Sequence, residues 1–174
     1  LELMEKISKD LSSFSYTGNV LFSAFSEPLL HNDLESLISV VREYCPESRI
    51  EVVTNGDFVT GERTQSLFDS GLTTLLISMY DGPQQIEQFT AIRNDLGLSE
   101  DQFIVRVRYL SRGEHFGLTL SNRAGSTEIA DLGVGGLSEP LKQRCFYPNY
   151  QMMVDYDGSV LLCPHDWGKK LRAG

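Results

Sequence analysis

The feature that most constrains this chain is a strand-then-helix unit that recurs roughly every 25 to 30 residues, a pattern whose simplest packing is a parallel sheet. Val20, Leu21, Phe22 and Phe25 form a short apolar run entered from Thr17-Gly18-Asn19, which predicts a buried strand over 19–25 ending at Ser26-Glu27-Pro28. Behind Asn32 or Asp33 as a cap, Leu34, Leu37, Ile38 and Val41 recur at threes and fours, and Pro46 closes that helix. The unit then repeats as strand 50–54, turn Asn55-Gly56-Asp57 and helix 61–70, stopped by Gly71. It repeats again as strand 74–79, turn Tyr80-Asp81-Gly82-Pro83 and helix 84–96, with Gly97 behind it. A fourth strand covers 103–110, and Leu3, Met4, Ile7 and Leu11 predict a helix ahead of the first. Such βαβ units cross over right-handed, so the fold class is α/β with a parallel sheet built from repeated βα units.

Past the fourth strand the pattern changes. Periodicity fades, and Gly125, Gly133, Gly135 and Gly136 cluster, which predicts a loop-rich connector over 119–142 between an α/β domain at 1–118 and a small segment at 143–174. In that last segment 151–154 and 159–162 flank Asp155-Tyr156-Asp157-Gly158, and the Asp-Gly pair marks the turn of a β-hairpin. The chain opens at Leu1 and closes on Leu171-Arg172-Ala173-Gly174 with no evident closing element, which predicts an excised piece.

Charge and cysteine usage narrow the function. Fifteen Lys and Arg against twenty-four Asp and Glu leave a formal net charge of −9, which argues against a basic footprint for nucleic acid or an anionic membrane. No apolar run approaches the roughly 18 to 20 residues of a spanning helix. Cys45, Cys145 and Cys163 are odd in number and widely spaced, which fits a reducing, cytoplasmic setting better than a disulfide framework.

In parallel α/β sheets the ligand lies at the carboxyl ends of the strands, where helix N-termini also aim their N–H groups. That rule selects Ser26-Glu27-Pro28, Thr54-Asn55-Gly56-Asp57, the turn around Ser78, and Arg106 and Arg108 on the fourth strand. Glu27 could accept from an ammonium, Thr54 and Asn55 could bond a ribose, and either arginine could meet a carboxylate in a fork. Each also has an ordinary structural role open to it: a solvated acid at a strand exit, a common turn pair, a serine bonding backbone. Arg106 and Arg108 share a face with Ile104 and Leu110, either as a buried pair facing a cavity or as the basic face of a solvated edge strand. Cys145, Cys163, His165 and Asp166 could form a tetrahedral zinc site, Cys145 and Cys163 could pair as a disulfide, or both could be idle thiols. Cys45 reads as a small hydrophobe at a helix end. No Gly-x-Gly-x-x-Gly follows a strand, no Walker loop is present, and His31, His115 and His165 form no hydrolase motif.

The run Phe22-Ser23-Ala24-Phe25-Ser26-Glu27-Pro28 resembles the GGEP segment of the radical S-adenosylmethionine superfamily. Thr54-Asn55-Gly56 resembles its TNG element, and the stretch from Gly71 to Ser78 resembles its fourth strand. Cys145, twelve residues, Gly158, four residues and Cys163 resemble the opening of a SPASM or twitch-type extension, and Asn122-Arg123-Ala124-Gly125 resembles a segment that precedes it. The CxxxCxxC loop that defines the superfamily is absent from the chain.

What the resemblance implies is a partial, truncated TIM-barrel-like sheet followed by the start of an iron–sulfur domain. It implies a middle piece of an enzyme that cleaves S-adenosylmethionine reductively at a [4Fe-4S] cluster, giving a 5′-deoxyadenosyl radical that attacks a peptide, protein or small molecule. The piece itself would be inactive, and the whole would draw on a flavodoxin- or ferredoxin-type electron donor. By resemblance Ser26, Glu27 and Pro28 line the methionine amino group, Thr54 and Asn55 lie near the ribose, and Ser78 with Arg106 or Arg108 lies near the ribose or carboxylate. Cys145 and Cys163 become ligands of an auxiliary [4Fe-4S] cluster. The alternative from another class is a non-catalytic α/β ligand-binding module with a docking hairpin or zinc site.

Overall fold

A computed structural model describes residues 1–114, 117, 128–139 and 142–174. The expected Asn122-Arg123-Ala124-Gly125 element and His115 lie outside them. The elements run α1 (Glu2–Ser13), β1 (Asn19–Phe22), α2 (Leu34–Tyr44), β2 (Arg49–Thr54), α3 (Gly61–Asp69), β3 (Thr74–Met79), α4 (Gln85–Asp95) and β4 (Phe103–Val107). Then follow α5 (Tyr147–Tyr150), β5 (Met153–Val154) and β6 (Val160–Leu161). Two compact units divide the chain, Leu1–Leu118 and Thr119–Gly174.

In the first unit the four strands are all parallel and stand in sequence order, β1-β2-β3-β4. Sequential order means that each crossover steps to the next strand in the same direction, the winding of a barrel rather than of a doubly wound sheet. The fold class is therefore α/β, a partial TIM-barrel-like parallel sheet from βα units, with a small antiparallel hairpin after it.

The period-2 pattern decides which face the helices cover. Ile50 and Val52 of β2, Leu75, Ile77 and Met79 of β3 and Phe103 of β4 join Ile38 and Val41 of α2, Leu67 of α3 and Phe89 of α4 in one buried cluster. Alternate residues, Leu21, Val53, Leu76, Ser78, Ile104 and Arg106, lie on the opposite face, paired level with one another or within one step. β3 is buried at every position, which is why it reads as an apolar run on both faces of a central strand. α1 packs on α2, where the small Ser8 is fully buried and its carbonyl accepts the Cys45 thiol at 3.7 Å.

Two strands are shorter than the sequence predicts. β1 ends at Phe22 rather than residue 25 because the chain turns at Ala24, whose φ of +83° cannot continue a strand. β4 ends at Val107 rather than residue 110; Arg108 N–H still bonds the Met79 carbonyl at 2.9 Å, and the chain then bends toward a helical turn at Arg112–Glu114.

At the amino ends of the strands sits a residue that the sequence reading passed over. Arg42, near the end of α2, donates to the carbonyls of Gly71 (2.8 and 3.1 Å), Pro46 (2.6 Å) and Ser48 (2.9 Å) and to the Thr73 hydroxyl (3.0 Å). No carboxylate is among these partners. Its charge is met by carbonyls that follow the C-termini of α2 and α3, the negative ends of both helix dipoles. Gly71 makes this possible: at φ +102° it closes α3 with Leu72 N–H on the Leu67 carbonyl, and a Cβ there would lie 2.9 Å from the Arg42 stem.

The second unit holds the expected hairpin in a shorter form. β5 and β6 pair antiparallel, Met153 opposite Leu161 and Val154 opposite Val160. Gly158 at φ +87° and the Asp157 carboxylate, which accepts Ser159 N–H at 2.9 Å, close the turn. That bond holds the Asp157 carboxyl below its usual range. Residues 171–174 run beside β6: Val160 and Leu162 N–H donate to the carbonyls of Gly174 and Leu171, and Leu161 bridges Arg172.

Because Arg42 alone serves three carbonyls, Arg42→Ala should cost about 3 kcal/mol of unfolding free energy. Arg42→Lys should recover only part, since one ammonium cannot span those directions. Urea unfolding of the three proteins measures both.

Candidate functional site at the carboxyl rim

β1 and β2 lie side by side, so their exits meet at the carboxyl edge of the sheet. The β1 exit passes through the left-handed Ala24, a conformation that costs an L-residue roughly 1 to 2 kcal/mol. Three residues on, Glu27 opens a single helical turn at Pro28–Leu30, and its Oε1 accepts Leu29 N–H at 3.0 Å. The same oxygen accepts the Thr54 hydroxyl at 2.6 Å, and Oε2 accepts Asn55 N–H at 2.8 Å. One carboxylate thus ties the end of β1 to the end of β2. Thr54 carries the relay further, since its hydroxyl oxygen accepts Gly56 N–H at 3.1 Å.

The β2 exit is built for close packing. Asn55 bonds Asp57 twice, Oδ1 from Asp57 N–H at 3.0 Å and Nδ2 to its carboxylate at 2.8 Å. Gly56 has φ +95°, and a Cβ there would come within 2.8 Å of the Phe89 ring and 2.9 Å of Ile77. Only glycine fits both the dihedral and the space. Downstream, the Thr60 hydroxyl caps α3 by accepting Arg63 N–H at 3.1 Å. Arg63 in turn holds the His31 carbonyl at 2.9 Å and Glu35 at 3.2 Å, bracing the first turn against α2 and α3.

Ser78 and Arg106 occupy the opposite face of the sheet from Thr54. They are register partners on β3 and β4. Thr54 is level with Ile77, so the position after Thr54 stands level with Ser78 and then Arg106, two strand spacings or roughly 10 Å in all. Ser78 is buried, whereas Arg106 on the edge strand and Arg108 beyond its end are exposed. Of the two readings left open for these arginines, the structure shows the solvated edge. Ser26, Glu27, Pro28, Thr54, Asn55, Ser78 and Arg106 therefore share one rim, with Arg108 just past the end of β4, but they differ in reach. Thr54 is 2% exposed and its hydroxyl both donates and accepts within the protein. Glu27 and Asn55 are half-buried, and Ser26 and the arginines face solvent.

The cysteines are all free, so no disulfide joins Cys145 to Cys163. Cys163 accepts His165 N–H at 3.4 Å on its sulfur, and Cys145 is exposed. Among the described residues no three His, Cys, Asp or Glu side chains are grouped as metal ligands, so the zinc set of Cys145, Cys163, His165 and Asp166 that the sequence left open is not assembled. Asp166 is turned instead to the Leu171 N–H, at 2.7 Å. No helix among the described residues is long and apolar enough to cross a membrane.

No family model matches the chain. It is 29% identical over 173 residues to an S-adenosyl-L-methionine-dependent 2-deoxy-scyllo-inosamine dehydrogenase of Niallia circulans. The match covers 99% of this chain and 64% of that protein, so the chain spans just under two thirds of the curated relative's length. Among solved structures it is similar to BtrN in complex with AdoMet and 2-DOIA, with a TM-score of 0.74 and 26% identity over 99% of this chain and 63% of the other. It also shares the fold of selenomethionine BtrN in an open conformation, with a TM-score of 0.67 and 22% identity over 99% and 61%.

These findings correct the sequence-based assignment to the radical S-adenosylmethionine superfamily with a SPASM or twitch-type extension. No model of such a family recognises the chain, and the signals behind the assignment were short: the GGEP-like run lacks both glycines, and its cysteine pattern comes to two thiols. What the comparisons support is the coarser relation, to enzymes that depend on S-adenosylmethionine.

Burial pushes the Cys45 thiol above its ordinary range, so the fold favours its protonated form. The stability tied to that proton is present below the ordinary thiol range and is lost as pH rises through the raised value. Iodoacetamide at neutral pH should label Cys145 and Cys163 in the native protein and reach Cys45 only after urea is added, as peptide mass spectrometry will show. Labelling of Cys45 at the same rate as the other two would contradict its placement.

Proposed function

We propose that this chain carries the S-adenosylmethionine-binding rim of an enzyme that dehydrogenates a small molecule. The observation that carries the reading is the Glu27 knot at the carboxyl edge, in a chain that aligns over 99% of its length with an S-adenosylmethionine-dependent dehydrogenase. In this reading Ser26, Glu27 and Pro28 line the methionine end, and Thr54 and Asn55 form the wall beside the ribose. Ser78, Arg106 and Arg108 lie toward the ribose or the carboxylate, where an exposed guanidinium can grip a carboxylate with two parallel N–H bonds.

The residues present suit such a ligand. The Glu27 carboxylate fixes the β1 and β2 exits through its three protein donors, the Asn55 amide stands at the middle, and the cationic groups stand two strands away. When bound, S-adenosylmethionine supplies a sulfonium whose carbon–sulfur bonds can be broken. What the chain supplies is orientation: a rigid rim that fixes where those bonds point relative to a substrate. That substrate is a small molecule, the class named for the relatives, and three free thiols suit a reducing, cytoplasmic setting.

A [4Fe-4S] cluster does not fit the described residues. Cys45 is 1% exposed against Ser8, only Cys145 and Cys163 remain as accessible thiols, and no group of three ligand side chains is assembled among the described residues. Cys145 and Cys163 are the accessible thiols of the second unit that could bind a metal.

Titration calorimetry with S-adenosylmethionine should show binding to the protein. Arg106→Ala combined with Arg108→Ala should weaken it about tenfold, the loss of one charge-assisted contact, with the unfolding midpoint unchanged. Absence of binding by the unmodified protein would reject the reading.

A further inference from the structure

Glu27 presents a choice that the proposed function leaves open, because a carboxylate at the methionine end can hold either the ligand's ammonium or the protein. The geometry decides it for the protein. Both oxygens are occupied by donors from three residues, the Leu29 and Asn55 backbone N–H groups and the Thr54 side-chain hydroxyl, two of them across 27 and 28 residues of sequence. Bonds to an ionised acceptor are the strong ones, and these three converge on a half-buried group. Around it stand the features that need an anchor: left-handed Ala24 on one side, and Gly56, bonded to Thr54 and packed on Phe89 and Ile77, on the other.

We propose that Glu27 is a positioning residue, with Thr54 as its buried relay: the carboxylate holds the β1 and β2 exits in one fixed relation, and the ligand is gripped by the backbone and polar groups so placed. This deepens the reading under the proposed function and rests on it. Its consequence is distinctive. A side chain that pairs with the ammonium affects only ligands that carry one, whereas a clamp spanning both exits affects the nucleoside end and the amino-acid end together.

The test compares S-adenosylmethionine with 5′-methylthioadenosine, which keeps the nucleoside and lacks the amino-acid end. Glu27→Gln retains size and shape but leaves one oxygen, so the bond to Asn55 N–H is lost. Thr54→Val removes the relay hydroxyl from a residue too buried to touch a ligand. Each variant should raise the dissociation constants of both ligands by the same factor, roughly tenfold. A loss confined to S-adenosylmethionine in Glu27→Gln, or no loss for either ligand, would overturn the proposal. Amide hydrogen exchange supplies a readout that needs no ligand. In both variants the Asn55 N–H should exchange at least tenfold faster while amides of β3 keep their protection, and unchanged Asn55 protection would overturn the clamp. If the unmodified protein binds neither ligand, the proposed function fails, and the exchange result alone judges the clamp.

Discussion

A half-buried carboxylate at the edge of a parallel sheet has to be satisfied, and how Glu27 is satisfied joins the exits of β1 and β2. Its three donors come from the turn after β1 and from the last and following residues of β2, so the strained backbone at Ala24 and the packed turn at Gly56 are held by one group. Without such a tie the two exits are independent surface loops, each free to choose its own conformation. With it they form a shaped edge, and a shaped edge is what a ligand-binding rim requires.

The opposite end of the sheet solves a different problem by similar means. Arg42 gathers carbonyls that follow two helices and lead into β2 and β3, and it does so without any carboxylate partner. A cation braces the amino ends and an anion braces the carboxyl ends. In sheets wound this way the amino face serves stability and the carboxyl face serves binding, and the two side chains fall on the sides that this division requires. Arg42 is therefore a residue of the scaffold at the amino ends, and Glu27 ties the strand exits at the carboxyl ends.

Much of this was legible in the sequence because strands and helices leave periodic signatures. The apolar run of β3, the threes and fours of α2 and the glycine behind α3 each state a local fact that packing then reuses. What was not legible depends on contacts that no local pattern encodes. Arg42 reaches Gly71 and Thr73 across about 30 residues of sequence, and nothing in the run Val40-Val41-Arg42-Glu43 announces it. The early end of β1 follows from a left-handed Ala24, which carries no glycine to signal it. Strand ends are a rule of the fold class and select the polar residues of the carboxyl edge, but the rule does not say which of those groups bond each other. Thr54 illustrates the difference: the turn pattern marked it, and only the hydrogen bonds show that it is turned inward.

The family assignment failed where short motifs were asked to carry more than they hold, while the relation to S-adenosylmethionine-dependent enzymes rests on similarity along the whole chain. The measurement that bears most directly on the account is a crystal structure of the protein with S-adenosylmethionine bound. The account predicts the nucleoside along the edge formed by residues 26–28 and 54–56, with the Glu27 carboxylate still on the Asn55 N–H. A ligand seated on another face, or a Glu27 carboxylate that has left Asn55 to hold the ammonium, would contradict it.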